Sequence, residues 1–298
     1  LSEMARRAPG QSALSTARKE ADTPEVVSGV FEGKTTGAPL CAIIQNTDTR
    51  SRDYEELRRK PRPSHADYAA FVASGGFRDY RGGGHFSGRL TAPLVFAGAV
   101  AKQVLKPRGI TVSARISMLG GVKDPSESQI EDIVLSAKQA GDSVGGTIAC
   151  AVEGMPAGLG APDFGCNVEG IFSQYLFAVP AVKGVAFGAG FALASMRGSE
   201  ANDPFYMDGD TVKTRTNNAG GVNGGITNGM PITFEAVLRP TTSIYKEQDT
   251  VDLDTMEDAK LIIHGRHDPC IVTRAVVVIE AAAALASCEV LEGGRSPL

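Results

Sequence analysis

Apolar and polar residues alternate along the chain with two distinct periods. Residues 110–119 alternate with a period of two and include β-branched side chains, which predicts a strand. Residues 126–141 open with serine and carry apolar residues near helical spacing, which predicts a helix. The same reasoning predicts further helices over 65–74, 89–105, 168–179 and 270–291, and further strands over 144–156, 182–196, 211–216 and 231–240.

This order of elements favours one fold class. Long helices between antiparallel strands predict an α+β sandwich rather than a regular βαβ fold. No stretch rich in proline, serine or charge interrupts the pattern, so we expect a single domain over residues 1–298. With 298 residues, of which 42% are hydrophobic, the chain can bury a sizeable core. The five cysteines form no C-x-x-C pair, and we expect buried free thiols.

Charge and hydropathy narrow the classes of partner. The net charge of −4 gives no case for nucleic acid as a partner. No window is apolar enough to span a membrane or to resemble a signal peptide, so we expect a cytoplasmic protein without a membrane partner. Residues 50–108 are nevertheless locally basic. That pattern fits a salt-bridged surface and an anion-binding site equally well.

Two short segments could carry proton transfer. His65 follows Arg62 by three residues, and an arginine beside an imidazole makes functional sense mainly where an anion also binds. Arg266 and Asp268 lie two apart in GRHDPC, so an extended segment would place both on one side. A carboxylate oriented in this way can act as a base once it is desolvated. A salt bridge within a turn is the structural alternative.

The same segment invites a metal hypothesis, which we do not favour. His264, His267 and Asp268 have the spacing of ligands on one helix face, but the following proline disfavours a helix there. No second cluster of ligand residues lies nearby in the sequence, so we expect no metal.

Glycine-rich segments suggest close approach of the backbone to a ligand. Five glycines occur in GGVNGGITNGMP, residues 220–231, and a turn-rich hairpin is the alternative interpretation. Arg239, Thr241, Thr242 and Ser243 follow and could supply donors to a phosphate. GAGFALA at 188–194 lacks the third glycine of a dinucleotide fingerprint, and no Walker motif is present. Segments near 7, 62–89, 220–243 and 266–268 together predict a wide anion-binding cavity.

Nine segments in order resemble the chorismate synthase family. They are ARRAPGQS (5–12), SGVFEGKTTGAP (28–39), NTDTRSRDY (46–54), RPSHADY (62–68), RDYRGGGHFSGR (78–89), GDSVGGTIACAVEGMPAGLG (141–160), NNAGGVNGGITNG (217–229), RPTTS (239–243) and GRHDPC (265–270). The resemblance implies a carbon–oxygen lyase of the shikimate pathway, which converts 5-enolpyruvylshikimate 3-phosphate into chorismate and phosphate. It also implies reduced FMN as cofactor, a homotetramer, and the family's single-domain β-α-β sandwich of antiparallel sheets packed with long helices.

The resemblance also implies roles for individual residues. Asp268 would remove the ring proton, acting through flavin N5, and His65 would donate a proton near the flavin. The substrate's carboxylates and phosphate would be held by Arg7, Arg62, Arg89 and Arg266. FMN would lie against His85, Phe86, Ser87, Pro180, Ala181, Gly224, Arg239, Pro240, Thr241, Thr242, Ser243 and Arg266.

Some positions depart from the family pattern. His85 and Phe86 stand where many relatives have arginine and serine. The family's amino-terminal GESHG-type segment, which carries another histidine, precedes the part matched here and is expected to be missing. A catalytically silent FMN- or anion-binding relic, or a fragment of the fold, is therefore the alternative to an active lyase. Some relatives also reduce their own flavin with NADPH.

Overall fold

The computed structural model describes residues 1–10, 21–46, 55–265 and 267–293. Its helices are α1 (Ser2–Arg7), α2 (Asp67–Ala73), α3 (Thr91–Leu105), α4 (Glu127–Gln139), α5 (Val168–Phe177), α6 (Gly198–Ala201) and α7 (Val272–Gly293). Its strands are β1 (Pro24–Ser28), β2 (Val30–Phe31), β3 (Lys34–Thr35), β4 (Cys41–Ile44), β5 (Thr111–Leu119), β6 (Val122–Lys123), β7 (Gly146–Glu153), β8 (Val182–Phe187), β9 (Phe205–Asp208), β10 (Thr211–Thr214), β11 (Val222–Asn223), β12 (Ile226–Thr227), β13 (Ile232–Leu238), β14 (Gln248–Asp252) and β15 (Glu257–Leu261).

These elements form two compact units. The first unit contains 1–93, 127–144 and 240–271, and the second contains 94–126, 145–239 and 272–298. The prediction that 1–298 form one domain stays a prediction.

A five-stranded antiparallel sheet is the centre of the second unit. Its strand order is β6-β5-β7-β13-β8. The inward positions of the paired central strands β7 and β13 are almost fully buried, because alternate residues of a strand point to one face. These residues are Ile148, Cys150 and Val152 in β7, and Ile232, Phe234, Ala236 and Leu238 in β13.

Two helices cover this sheet. The alanine-rich α7 packs on β5 and β7, and α5 packs on β8 and on α7. Phe172 of α5 meets Phe187 and Phe234 edge to face, with ring centroids 6.4 Å and 6.0 Å away. Gly98 of α3 lies so close to α7 that a Cβ there would be 2.3 Å from the Cβ of Ala281. Small residues thus let these helices pack at short range.

A buried ion pair connects three elements of the second unit. Glu280 of α7 is 4% exposed, accepts a hydrogen bond from Lys102 Nζ of α3 at 2.5 Å, and accepts another from the Ala114 N–H of β5 at 3.2 Å. The nearby Cys150 thiol has its pKa raised, chiefly by burial and further by the charge of Glu280. This carboxylate therefore fixes α3 and β5 against the central helix.

The first unit consists of short elements and tight turns. It contains α1, α2, α4 and the hairpins β1–β4, β2–β3 and β14–β15. Leu57, Leu261 and Ile263 form a small apolar core there. Most of the residues predicted for the functional site lie in this unit.

The sequence-based element predictions compare well with the structure. The helices predicted over 65–74, 89–105, 126–141 and 168–179 and the strands over 110–119, 144–156 and 231–240 are present with shorter bounds, and the helix predicted over 270–291 is present as Val272–Gly293, shifted by two residues. The strand expected over 182–196 ends at Phe187. A short 3-10 helix, Gly190–Ser195, follows, because Gly188 turns the chain at a φ of +56° against the backbone of Asn218. Residues 220–229 form the hairpin β11–β12, as the structural alternative predicted.

The cysteine prediction is partly wrong. All five cysteines are free thiols, as expected, but only Cys150 and Cys270 are buried. Cys41 and Cys166 are exposed, and Cys288 is partly buried. Within the described ranges, no helix combines the length and apolarity that crossing a membrane would require.

Candidate active site

A tight turn places His65. The His65 N–H donates to the Arg62 carbonyl at 3.2 Å, with Pro63 and Ser64 between them. Ser64 has a φ of +58°, and proline at the second position with a left-handed third residue is the arrangement of a type II turn. The sequence RPSH therefore folds the imidazole back towards the arginine three residues before it.

Asp67 is the centre of the charged cluster that this turn creates. Its carboxylate is buried in the first turn of α2 and accepts hydrogen bonds from Arg62 Nε at 2.7 Å and from Arg62 Nη2 at 2.9 Å. His65 Nδ1 lies 2.8 Å from Asp67 Oδ1, and Arg78 Nη1 lies 3.4 Å from the same oxygen. The spacing of Arg62 and His65 in the sequence predicts a nearby anion. In the structure, the carboxylate of Asp67 lies at that position.

The cluster keeps Asp67 ionised. Burial opposes its charge, but hydrogen bonds from Arg62 and His65 and their charges outweigh burial and hold the pKa of Asp67 far below its usual value. Because its pKa is lower in the folded than in the unfolded chain, Asp67 stabilises the fold above the ordinary carboxyl pKa of 3.8. This contribution is lost as the pH falls from there towards the folded pKa.

We expect substitutions at Ser64 to separate turn geometry from side-chain chemistry. Ser64→Gly should retain activity and a stability equal to or above the parent's, because glycine adopts a positive φ freely. Ser64→Val should lower the free energy of unfolding by about 1–3 kcal/mol and misplace His65, because a β-branched residue disfavours this conformation. Urea unfolding and steady-state rates of both variants check this. Equal behaviour of the two variants would contradict the role of the turn.

Arg7 is buried and engaged by its surroundings. Its guanidinium pairs with Asp22, Nε donates to Thr91 Oγ1 at 3.1 Å, and Nη2 donates to the carbonyls of Gly88 and Arg89 at 3.3 Å and 3.4 Å. Arg7 thereby fixes the backbone that carries Arg89, in the 3-10 turn immediately before α3. Its predicted contact with substrate stays a prediction.

The glycine-rich loop adjoins the Asp67 cluster. His85 and Phe86 end a short 3-10 helix, and Ser87 Oγ accepts the Arg89 N–H at 3.2 Å to start the next turn. A cavity of about 300 Å³ is lined by Asp67, Arg78, Tyr80, His85 and Phe86, among others. Phe86 is about half exposed. The loop and the RPSHADY segment therefore share one cavity.

The segment Pro240–Ser243 lies against the same cluster. Ser243 is buried, and its Oγ accepts a hydrogen bond from Arg62 Nη1 at 3.4 Å. Thr241 Oγ1 is buried without a hydrogen-bond partner among the described residues, while the neighbouring Thr242 is partly exposed. A buried hydroxyl without a hydrogen-bond partner is typical of a segment that binds a polar ligand.

The chain after α4 links this segment to the one that carries Asp268. Ser143 Oγ donates to the Thr241 carbonyl at 2.6 Å, and the Val144 N–H donates to the Pro269 carbonyl at 3.0 Å. Asp268 itself is partly buried. Arg266 lies outside the described residues, and so does the predicted Arg266–Asp268 pairing.

The remaining predicted cofactor residues belong to the second unit. Ala181 has a φ of +74°, and its carbonyl accepts the Arg239 N–H at 3.0 Å. Pro180 precedes this strained residue, and Gly224 lies in the turn of the hairpin β11–β12. A strained non-glycine backbone is characteristic of functional sites.

Three residues of the site were not predicted from the sequence. Asp67 and Asp22 pair with the predicted arginines, and Ser143 supports the Thr241 backbone. The signal for Asp67 was its distance of five residues from Arg62, although an acid in the first turn of a helix is common on its own account. Of the described side chains, no group of three or more His, Cys, Asp or Glu is arranged to hold a metal ion.

The antiparallel α+β fold carries a site in which Arg62, Arg78 and His65 surround the buried carboxylate of Asp67. Comparison with known proteins specifies the family. A sequence model described as chorismate synthase matches residues 1–291. The chain belongs to the chorismate synthase family, whose members are lyases of the shikimate pathway.

Individual relatives agree with this assignment. A protein named chorismate synthase from Chitinophaga pinensis is 50% identical over 286 residues, which are 96% of this chain and 83% of the relative. One from Thermococcus kodakarensis is 46% identical over 296 residues, covering 93% of this chain and 83% of the relative. A solved structure titled "Crystal Structure of Chorismate Synthase" matches with a TM-score of 0.69 and 25% identity, covering 91% of this chain and 78% of that one. The predicted family and fold class are confirmed.

Proposed function

We propose that this chain converts 5-enolpyruvylshikimate 3-phosphate into chorismate and phosphate by a 1,4-elimination that requires reduced FMN. The observation that carries the proposal is the buried cluster of Arg62, His65, Asp67 and Arg78 beside Ser243, in a chain of this family. In the reaction, a ring C–H bond and the C–O bond to phosphate break. The electron pair of the C–H bond forms one new ring double bond, the existing ring double bond shifts by one position, the proton goes to a base, and phosphate leaves with the electrons of the C–O bond.

Arginines suit the substrate, which carries a phosphate and two carboxylates. A guanidinium binds such groups through two parallel hydrogen bonds and stays charged, unlike a lysine ammonium at a buried site. Arg62 and Arg89 would contact these groups directly, and the proposal extends to Arg7 and Arg266. Arg62 is held in place by Asp67, so its remaining donors are oriented before substrate binds.

The residues present fit FMN. The buried Thr241 hydroxyl and the Pro240–Ser243 segment could bind its phosphate or ring oxygens, and the aromatic side chains of Tyr80 and Phe86 line the adjoining cavity. Reduced FMN, when bound, would supply an electron transiently to the substrate and regain it, with no net redox change. His85, Ser87, Thr242, Pro180, Ala181, Gly224 and Arg239 complete the proposed cofactor set.

Asp268 and His65 are the proposed catalytic residues. The base must lie on a rigid segment, and the Val144–Pro269 hydrogen bond fixes the chain next to Asp268. His65 would exchange a proton with bound ligand. Its side chain is 13% exposed, so one edge of the ring remains accessible.

The wider biological setting belongs to the same proposal. We propose a cytoplasmic homotetramer without metal, nucleic-acid or membrane partners. Whether NADPH reduces the bound flavin is tested by mixing protein, FMN and NADPH without another reductase: bleaching of the flavin absorbance would show it. The alternative function, a silent FMN- or anion-binding relic, predicts FMN binding without product.

Product formation tests the proposal. Protein, 5-enolpyruvylshikimate 3-phosphate and photoreduced FMN are mixed without oxygen, and chorismate is followed by its absorbance while phosphate is measured separately. Equal amounts of both products are expected. FMN binding with no chorismate would overturn the lyase proposal and favour the relic.

We expect Ser143→Ala to weaken FMN binding. Its hydroxyl donates to the Thr241 carbonyl at 2.6 Å, and losing a partly buried hydrogen bond of this kind costs about 1–1.5 kcal/mol, or roughly tenfold in the FMN dissociation constant. Ser28→Ala is the matched control, because Ser28 also donates to a backbone carbonyl, that of Pro39 at 2.7 Å, in an exposed hairpin. Flavin fluorescence titration measures both. Equal FMN affinity in the two variants would contradict the role of Ser143.

A further inference from the structure

The contacts of His65 raise the question of which ring nitrogen carries the proton. Nδ1 lies 2.8 Å from Asp67 Oδ1, an acceptor, and 3.1 Å from Arg62 Nη2, a donor. Within the described part of the chain, Nε2 of His65 has no hydrogen-bond partner. The two nitrogens of the ring are therefore in different surroundings.

The two tautomers satisfy these contacts unequally. With the hydrogen on Nδ1, both His65 and Arg62 Nη2 donate to Asp67 Oδ1, and the 3.1 Å between the two nitrogens is the separation of two donors that share one acceptor oxygen. With the hydrogen on Nε2, an unprotonated Nδ1 would face the carboxylate oxygen at 2.8 Å as one acceptor against another. The first arrangement is favoured because Asp67 stays ionised between two guanidinium groups.

We propose that Asp67 is a positioning residue for His65. It holds the neutral imidazole in the Nδ1–H tautomer and fixes the ring, so that Nε2 is the nitrogen that exchanges a proton with bound ligand. Arg62 and Arg78 hold Asp67 in turn. The inference rests on the proposed function for the reaction itself, whereas the tautomer is a property of the protein alone.

The groups around His65 come from each segment packed on it. Arg62 lies on the preceding turn, Asp67 on α2, Arg78 on the segment after α2, and Ser243 contacts Arg62 from the segment before β14. Charge therefore reaches the ring chiefly on its Nδ1 edge. A carboxylate at Nδ1 orients the ring and leaves Nε2 as the nitrogen that can exchange a proton with a ligand.

Nitrogen NMR of the unmodified protein tests the tautomer. The chain has four histidines, so long-range ¹H–¹⁵N spectra of protein labelled with ¹⁵N-histidine contain signals from four imidazole rings. The signals that are missing from the spectrum of His65→Gln belong to His65. At alkaline pH we expect the Nδ1–H pattern for His65. The Nε2–H pattern would overturn the inference, whatever the variants below do.

A double-mutant cycle tests the functional part. We expect Asp67→Asn to lower kcat at least tenfold in the parent and less than twofold in the His65→Gln background, because Asp67 acts through His65. Equal losses in both backgrounds would show that Asp67 acts independently of His65 and would overturn the inference. Asp124→Asn, which removes an exposed carboxylate paired with Arg115, is the control and should leave kcat unchanged. The NMR measurement of the tautomer does not require an active enzyme. Failure of the lyase proposal can therefore be distinguished from failure of the proposal that Asp67 positions His65.

Discussion

Replacing Asp268 by asparagine is expected to lower kcat by about 10²–10⁴-fold while FMN binding persists. Asparagine keeps the size and one oxygen of the side chain but cannot accept the ring proton, and a positioned base contributes a factor of this order. The carboxylate lies on a segment fixed by the Val144–Pro269 hydrogen bond, so the substitution should not disturb the backbone.

The measurement is the single-turnover rate under anaerobic conditions, with the FMN dissociation constant determined in parallel. Asp249→Asn is the control, because Asp249 is an exposed carboxylate that pairs with Lys260 on the hairpin β14–β15. An Asp268→Asn rate within threefold of the parent would remove this residue from the mechanism. Loss of FMN affinity alone would assign it to binding.

Glu280→Ala is expected to lower the free energy of unfolding by about 3–5 kcal/mol. Glu280 is 4% exposed and pairs with Lys102 while accepting the Ala114 N–H, and removing one partner of a buried ion pair leaves the others unsatisfied. The pair connects α3, α7 and β5, so its loss should also reduce cooperativity of unfolding.

Two variants sharpen this expectation. Glu280→Gln retains an oxygen for the Ala114 N–H and loses only the charge, so it should cost less than Glu280→Ala. Glu289→Ala lies on the same helix but at an exposed position where Glu289 contacts the Tyr175 hydroxyl, and should change stability by under about 0.5 kcal/mol. Urea unfolding measures all three. Equal values for Glu280→Ala and Glu289→Ala would contradict the structural role of the buried pair.

The parts of the fold that follow from periodicity could be predicted from the sequence. Strand β5 alternates, helix α4 has an amphipathic spacing and helix α7 is alanine-rich and mostly buried, so local pattern and tertiary burial agree. The hairpins within 24–44 were not predicted, since their exposed residues carry no period. The end of β8 depends on a contact of Gly188 with Asn218, which lies 30 residues away and is invisible to a local pattern.

The candidate site shows the same division. His65, Arg62 and the 239–243 segment could be found because their residue types imply anion chemistry. Asp67 was not identified from the sequence, because its role depends on its burial between Arg62 and Arg78 and not on its being an aspartate. Likewise, nothing in the residue type of Ser143 indicates that it supports the Thr241 carbonyl.

The ratio of chorismate formed to reduced FMN consumed shows whether the reaction is an elimination without net redox change. Protein with a limiting amount of photoreduced FMN is mixed with excess 5-enolpyruvylshikimate 3-phosphate under strict exclusion of oxygen, and product and flavin absorbance are recorded together. The proposed elimination involves no net redox change, so many molecules of chorismate should form for each FMN while the flavin stays reduced. Absence of chorismate, or one molecule formed for each FMN oxidised, would contradict the proposed function.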